Sequence, residues 1–330
     1  MDHEAKQYLL ISELKEALNS NMDPYPKIIE IHPTDACNYK CAFCFRKENS
    51  RGSTLTLSDY SLLFDDMRNL GIKELSISGG GEPFVNPDIY KILDSAYTKG
   101  MNVRIVTNGS CIDMRYVDKL LKASEIRFSI NAGTAATYAK VHKVDINYFS
   151  RVLGNIFTII MRRSKLASKL KIGVSFLIQK ENFIELADFV RVARGLNVDS
   201  IVIKHDIYGE QFTTAELEQI SSDIAKLDGP NLEIREDLKY DFKSIKCFVP
   251  YFKVSMNPYG DLFSCCLGSQ PGEINGYKLG SIKGDGNLET IWIKSKKIRT
   301  DIIKNGVSCK NCNYTDYKLN LIMGAKCQSI

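Results

Sequence analysis

Apolar and polar positions along the chain alternate between short β-branched runs and longer segments with helical spacing. The runs at 27–31, 74–78, 102–107, 125–130, 171–178 and 200–203 predict buried strands. Segments 86–99, 113–122, 135–164 and 183–194 place apolar residues three and four positions apart, which predicts amphipathic helices between those strands. Residues 4–20 repeat the helical spacing ahead of the first strand and end at a group of breaker residues, 21–26. Continuous apolar strands separated by helices predict an α/β fold: a parallel sheet of six units covered by helices, either doubly wound or closed towards a barrel.

The pattern changes after residue 205. Segment 206–246 reads as a linker with one helix, 214–227, broken at Asp228-Gly229-Pro230. The remainder is short in helix and rich in cysteine, and Asn257-Pro258-Tyr259-Gly260-Asp261 predicts the turn of a hairpin. The expected organisation is an N-terminal helix (1–26), a barrel-like unit (27–205), the linker (206–246) and a C-terminal unit (247–330).

In parallel α/β folds the chemistry sits at the C-terminal ends of the strands. The first strand delivers His32, Pro33 and the loop Cys37-Asn-Tyr-Lys-Cys41-Ala-Phe-Cys44. Three thiolates at this spacing can converge on one iron–sulfur cluster, and three ligands leave one iron open for a substrate or cofactor. The second strand ends in Ser78-Gly79-Gly80-Gly81-Glu82-Pro83, where glycines allow close backbone approach and Glu82 offers a carboxylate to an ammonium group. The later ends carry Thr107-Asn108-Gly109-Ser110, Ser129-Ile130-Asn131-Ala132-Gly133, Gln179-Lys180-Glu181-Asn182 and Lys204-His205-Asp206. Taken singly, each is an ordinary turn or helix cap; their joint placement at one mouth is the functional signal.

Charge narrows the classes. A formal net charge of +5 is spread over 44 basic and 39 acidic residues without a long block of one sign, so no nucleic-acid partner is expected. The N-terminus lacks a secretory pattern, and the most apolar helical stretch, 149–161, is too short to span a bilayer, so a cytoplasmic protein without a membrane partner is expected. Ten cysteines in that compartment point to metal or redox chemistry rather than disulfides. Cys111 stands alone and reads as a small buried hydrophobe. Cys247, Cys265, Cys309 and Cys312, with 17, 43 and 2 residues between successive members, form a four-thiolate pattern that suits zinc as well as iron. Cys266 and Cys327 are left over: Cys266 is a spare thiol, a substitute for Cys265 or a hydrogen donor, and Cys327 is incidental or a cap. Trp292, the only tryptophan, reads as a packing residue.

The Cys-x3-Cys-x2-Cys loop, with Phe43 before its third cysteine and Ser-Gly-Gly-Gly-Glu-Pro after the next strand, resembles the radical S-adenosylmethionine (SAM) superfamily over about residues 27–205. Ser129-Ile-Asn131-Ala-Gly-Thr134-x2-Thr137-Tyr138 and Phe176-Leu-Ile-Gln179-x2-Asn182 resemble the branch that carries an auxiliary-cluster domain. That branch often has Asp where this chain has Asn131, which removes a carboxylate that could act as a base. The resemblance implies a partial (β/α)6 TIM-like barrel with a [4Fe-4S] cluster on Cys37, Cys41 and Cys44. SAM would occupy the open iron, with Gly79, Gly80, Gly81 and Glu82 on its amino side and Thr107, Asn108 and Ser129 around its ribose and carboxylate. Asn131 and Gln179 would share that mouth. The C-terminal cysteines resemble the twitch domain, a shortened relative of SPASM, which implies one auxiliary [4Fe-4S] cluster on Cys247, Cys265, Cys309 and Cys312. It further implies an electron donor such as flavodoxin or ferredoxin, and a deoxyadenosyl radical that abstracts hydrogen.

Two outcomes compete. The first expectation is oxidation or epimerisation of a carbinol on a sugar or aminocyclitol, with the auxiliary cluster relaying an electron. The second is maturation of a ribosomal peptide by a thioether or carbon–carbon crosslink, or by epimerisation. The short N-terminal helix leaves no room for a leader-recognition domain, which tilts the expectation towards a small natural-product precursor. A third class, a non-catalytic iron–sulfur redox sensor, has no use for the complete Gly-Gly-Gly-Glu-Pro motif.

Overall fold

The computed structural model describes residues 12–20, 22–44, 52–205, 212–235, 246–266, 277–305 and 319–323. Within them helix α1 (12–19) precedes strand β1 (Ile28–Ile31), and the chain then alternates α2 (Leu57–Asn69), β2 (Glu74–Ile77), α3 (Ile89–Thr98), β3 (Asn102–Thr107), α4 (Val117–Leu120) and β4 (Glu125–Ser129). It continues through α5 (Ala135–His142), α6 (Asn147–Lys165), β5 (Lys171–Ile178), α7 (Leu186–Gly195), β6 (Ser200–His205), α8 (Thr214–Ala225) and β7 (Leu232–Arg235). The C-terminal part adds α9 (Val249–Phe252), β8 (Lys253–Met256), β9 (Asp261–Phe263), β10 (Lys278–Ser281), α10 (Leu288–Lys294) and α11 (Lys296–Asn305).

The ten strands among the described residues form one sheet in the order β10-β9-β8-β1-β2-β3-β4-β5-β6-β7. The six expected strands pair in parallel and in sequence, as βαβ units with crossover helices require. Along β2, β3 and β4 burial alternates residue by residue. One face therefore joins the helices in the hydrophobic core, through residues such as Ile31, Ile77, Ile105, Phe128 and Phe176. The other, inner face carries Ser76, Arg104, Arg127 and Ser129. The fold is thus α/β as expected, with an open sheet rather than a closed one.

Four differences from the expected elements have local causes. Helix α2 is missing from the pattern reading because its surface is broken by Asp65, Asp66 and Arg68 and by an exposed Leu62; its start is nonetheless written in the capping box of Thr56 and Asp59. The expected helix 135–164 is two helices, divided where Lys143 takes a left-handed φ of 52°. In the segment expected as a linker, α8 opens with a Thr213–Glu216 capping box and is followed by β7, which pairs in parallel with β6. Finally, β8 pairs in parallel with β1, so the C-terminal hairpin extends the same sheet.

The hairpin turn is as expected. Gly260 has a φ of 90°, a conformation that favours glycine. Its neighbours close the turn, with the Asn257 amide donating to the Asp261 carbonyl at 3.0 Å. Trp292 packs as expected: the buried Arg299 guanidinium lies 3.6 Å from its ring centroid and pairs with Asp23 at 2.6 Å.

Candidate active site

The cysteine loop leaves the C-terminal end of β1 and is fastened on three sides. Towards β2, the Glu82 amide donates to the Ala36 carbonyl at 2.9 Å. Towards β3, Asn38 donates to Ser110 Oγ at 2.9 Å and accepts from Asn108 Nδ2 at 3.0 Å. Towards α5, the Ala42 amide donates to the Val141 carbonyl at 2.9 Å, and the Tyr39 and Tyr138 hydroxyls lie 3.0 Å apart.

The glycines of Ser78-Gly79-Gly80-Gly81-Glu82-Pro83 make this docking possible. A Cβ on Gly81 would lie 2.0 Å from the Ala36 carbonyl oxygen, and one on Gly79 would lie 2.2 Å from that of Gly81. Any side chain at 81 would push the cysteine loop away. The close approach that the glycines permit is therefore first that of the protein's own backbone.

Glu82 is buried at the centre of the arrangement. Its carboxylate accepts from Thr107 Oγ1 at 2.6 Å, from the Asn108 amide at 2.7 Å and from the Phe84 amide at 3.1 Å. Burial pushes its carboxyl up to about 6 although these donors pull the other way. A raised folded value means that its stability contribution is present below the ordinary 4.5 and is lost as pH rises through about 6. The stability of the unliganded wild type relative to Glu82→Gln is therefore expected to fall by about 2 kcal/mol between acid and neutral pH. Urea unfolding of both proteins across that range checks this, and a flat difference would remove the effect.

The remaining strand ends divide into groups that hold the site and groups that face it. Thr107 and Asn108 spend their polar atoms on Glu82, Asn38 and Ser110. Asn131 has a left-handed φ of 55° and turns its amide oxygen to the Leu177 amide at 2.9 Å. Gln179 is buried, with its backbone amide donating to Asn182 Oδ1 at 2.7 Å. Ser129 lies half-buried opposite Ser175 on the inner face.

Two residues escaped the sequence reading. His142, at the end of α5, has Nδ1 3.1 Å from Cys41 Sγ and Nε2 2.9 Å from the Ile130 carbonyl; burial holds its imidazole down at about 4. Glu185 accepts from the Gly133 and Thr134 amides and from the Thr134 and Thr137 hydroxyls, at 2.6–3.1 Å. The Asn131-Ala-Gly-Thr-x2-Thr pattern is thus a docking site for Glu185 at the start of α5. Neither pairing has a local signal, because each joins segments distant in sequence.

The C-terminal turn reaches the same loop. The Tyr259 hydroxyl donates to Asp35, two residues before Cys37, while the other oxygen of Asp35 accepts from the Gly52 amide at 2.6 Å. Cys265 and Cys266 follow β9, and Lys253 Nζ lies 3.9 Å from Cys266 Sγ. Cys247 accepts from Asn320 Nδ2 at 3.7 Å. Cys309, Cys312 and Cys327 lie outside the described residues. Among those described, no three metal-ligating side chains of His, Cys, Asp or Glu are gathered into one group; Cys37, Cys41 and Cys44 share one loop, half-buried to exposed. Cys111 is half-buried, and burial raises its thiol. No helix among the described residues is long and apolar enough to cross a membrane.

This donor set fits a thiolate-bound cluster beside a ligand with an ammonium group. The sulfurs lie on one loop, and Glu82 keeps acceptor capacity beyond its three donors. Comparison with known proteins agrees. Residues 31–193 match the family profile of the radical SAM superfamily, and residues 247–313 match that of SPASM, an iron–sulfur cluster-binding domain. An S-adenosylmethionine-dependent nucleotide dehydratase of Selenomonas ruminantium is 33% identical over 25% of this chain and 30% of its own length. The mycofactocin maturase MftC of Mycobacterium tuberculosis is 22% identical over 89% of this chain and 77% of its own. Alignments to the first curated relatives span 30–54% of their lengths. In fold, the structure of Streptococcus suis SuiB bound to precursor peptide SuiA is similar with a TM-score of 0.68, at 17% identity over 93% of this chain and 75% of that one. The chain belongs to the radical SAM superfamily and carries a C-terminal SPASM domain.

Proposed function

We propose that this enzyme modifies a peptide substrate, introducing a crosslink or inverting an α-carbon. The observation that carries this reading is the extent of the fold shared with SuiB, 93% of this chain, a protein described in complex with a precursor peptide. A maturase that aligns with 89% of the chain supports the same reading. The oxidation of a small carbinol, first expected from the sequence, draws no such support.

In this reading Cys37, Cys41 and Cys44 would hold the cluster that works with SAM, and Cys247, Cys265, Cys309 and Cys312 would hold one auxiliary cluster. Reduced by a small donor such as flavodoxin or ferredoxin, the bound cofactors supply a radical able to remove hydrogen from an unactivated carbon. Glu82 receives the ammonium group of SAM, a cation that offsets the cost of burying its carboxylate. Gly79, Gly80 and Gly81 keep Glu82 against the cysteine loop, and Thr107 and Asn108 fix its orientation. Ser129 faces the ligand from the inner side, while Asn131 and Gln179 shape the turn beside it. Cys266, on the C-terminal side, is the candidate donor of a hydrogen atom to a substrate radical.

The test is anaerobic reconstitution with iron and sulfide, followed by dithionite, SAM and the peptide translated from a short reading frame beside the gene. The expected result is 5′-deoxyadenosine formation that depends on the peptide, with either loss of a hydrogen pair from its mass or uptake of solvent deuterium. Deoxyadenosine formation stimulated by a nucleoside triphosphate or an amino sugar, with the peptide unchanged, would overturn it.

A further inference from the structure

The inner face of the sheet between β3 and β7 carries charge, most of it half-buried, that neither cluster nor SAM accounts for. Strand register places Arg104 beside Glu125, and Arg127 beside Gly173. Nearer the C-terminal ends, Leu177, Lys204 and Arg235 form a row across β5, β6 and β7. Glu125 pairs with Arg104 at 3.1 Å and with Arg127, and Glu233 pairs with Arg235 at 2.7 Å. Those two carboxylates are the acidic partners that Arg127 and Lys204 sense, against the cations of Arg104, Arg127, Lys204 and Arg235.

Lys204 makes no hydrogen bond or ion pair with the described residues, and Arg127 Nε is buried without a partner. Burial, with Arg235 and Arg127 close by, pushes the Lys204 ammonium down to about 7. Gly173, between Arg127 and Ser200 in the register, leaves room for the Arg127 side chain. A Cβ there would lie 2.4 Å from Ser200 Oγ and 3.5 Å from Arg127 Nε, so β5 is stripped of a side chain where Arg127 lies across it towards β6. A purely structural network would match its charges. Here cations exceed carboxylates among the described residues, and the unmatched donors share one face.

We propose that Arg127 and Lys204 form an anion-binding subsite on the inner face of the sheet, which takes a carboxylate or phosphate group of the substrate. On the peptide reading above, on which this assignment of source rests, the anion is an acidic side chain or the terminal carboxylate. The guanidinium of Arg127 offers directional donors and Lys204 a point charge, a combination suited to a group with several acceptor oxygens.

The experiment is equilibrium binding to the reconstituted, SAM-loaded enzyme of two probes: a short acetylated peptide of glutamates, and inorganic triphosphate. Wild type is compared with Lys204→Met and Arg127→Gln. The acidic peptide is expected to bind saturably and at least roughly tenfold more weakly to each variant. Lys204→Met is further expected to melt no lower than wild type, because it removes a desolvated charge that makes no ion pair with the described residues and lies near Arg235 and Arg127. Should Arg127→Gln fail to fold, Lys204→Met alone decides. Lys204-dependent binding of triphosphate but not of the peptide would uphold the subsite and overturn the peptide as its source. Binding of neither probe, or binding that both variants leave unchanged, would overturn the subsite, while peptide modification would still be decided by its own mass change.

Discussion

Replacement of Cys37, Cys41 and Cys44 together with alanine is expected to abolish 5′-deoxyadenosine formation while leaving about four irons per chain. The loss is complete because the three substitutions remove every thiolate from that loop, and SAM without an iron has nothing to reduce it. The retained iron reports the second cysteine set, Cys247, Cys265, Cys309 and Cys312, which the substitutions leave intact. Chemical iron and sulfide analysis of the reconstituted variant checks both halves of the statement. An iron-free variant would deny the C-terminal cysteines a cluster of their own, and about eight irons would mean two clusters there rather than the one that the resemblance to a twitch domain implies.

Gly81→Ala should be nearly as damaging without touching a ligand. The new methyl group would sit 2.0 Å from the Ala36 carbonyl oxygen, far inside van der Waals contact and against backbone rather than a mobile side chain. Relief requires the cysteine loop to move by about an ångström, which breaks the hydrogen bond from the Glu82 amide to Ala36 and shifts the sulfurs relative to Glu82. A displacement of that size costs about a hundredfold in rate when it separates groups that must act together. Deoxyadenosine formation is the measure, with iron content separating loss of the cluster from misplacement of SAM. A rate near wild type would mean that the loop tolerates the shift.

The six parallel strands and the cysteine loop are legible because each is local: a β-branched run writes a strand, and three cysteines within eight residues write a site. The Gly-Gly-Gly-Glu-Pro turn was legible as a motif but not in its mechanics, since the contact between Gly81 and Ala36 exists only after β1 and β2 pair. Helix α2 carried its own start signal in Thr56 and Asp59, and its mixed face obscured the rest. Strand β7 has four residues, too few for alternation to register. The partnership of Glu185 with Gly133, Thr134 and Thr137, and that of His142 with Cys41, join residues 48 to 52 and 101 positions apart. No periodicity encodes such pairs.

The pairing of β8 with β1 also bears on how the protein is made. β1 leaves the ribosome ahead of the other described strands, yet one of its edges stays open until β8 arrives more than two hundred residues later, roughly ten to forty seconds at ordinary rates of synthesis. During that interval the strand that leads into the cysteine loop presents unpaired backbone groups, the usual starting point for wrong association. A residue at the seam softens this exposure: Glu30, on β1, carries a carboxylate beside that edge, and a charged edge is a poor template for another strand. A chain cut before residue 247 would keep that edge open permanently, so the barrel and the C-terminal unit are a single folding problem.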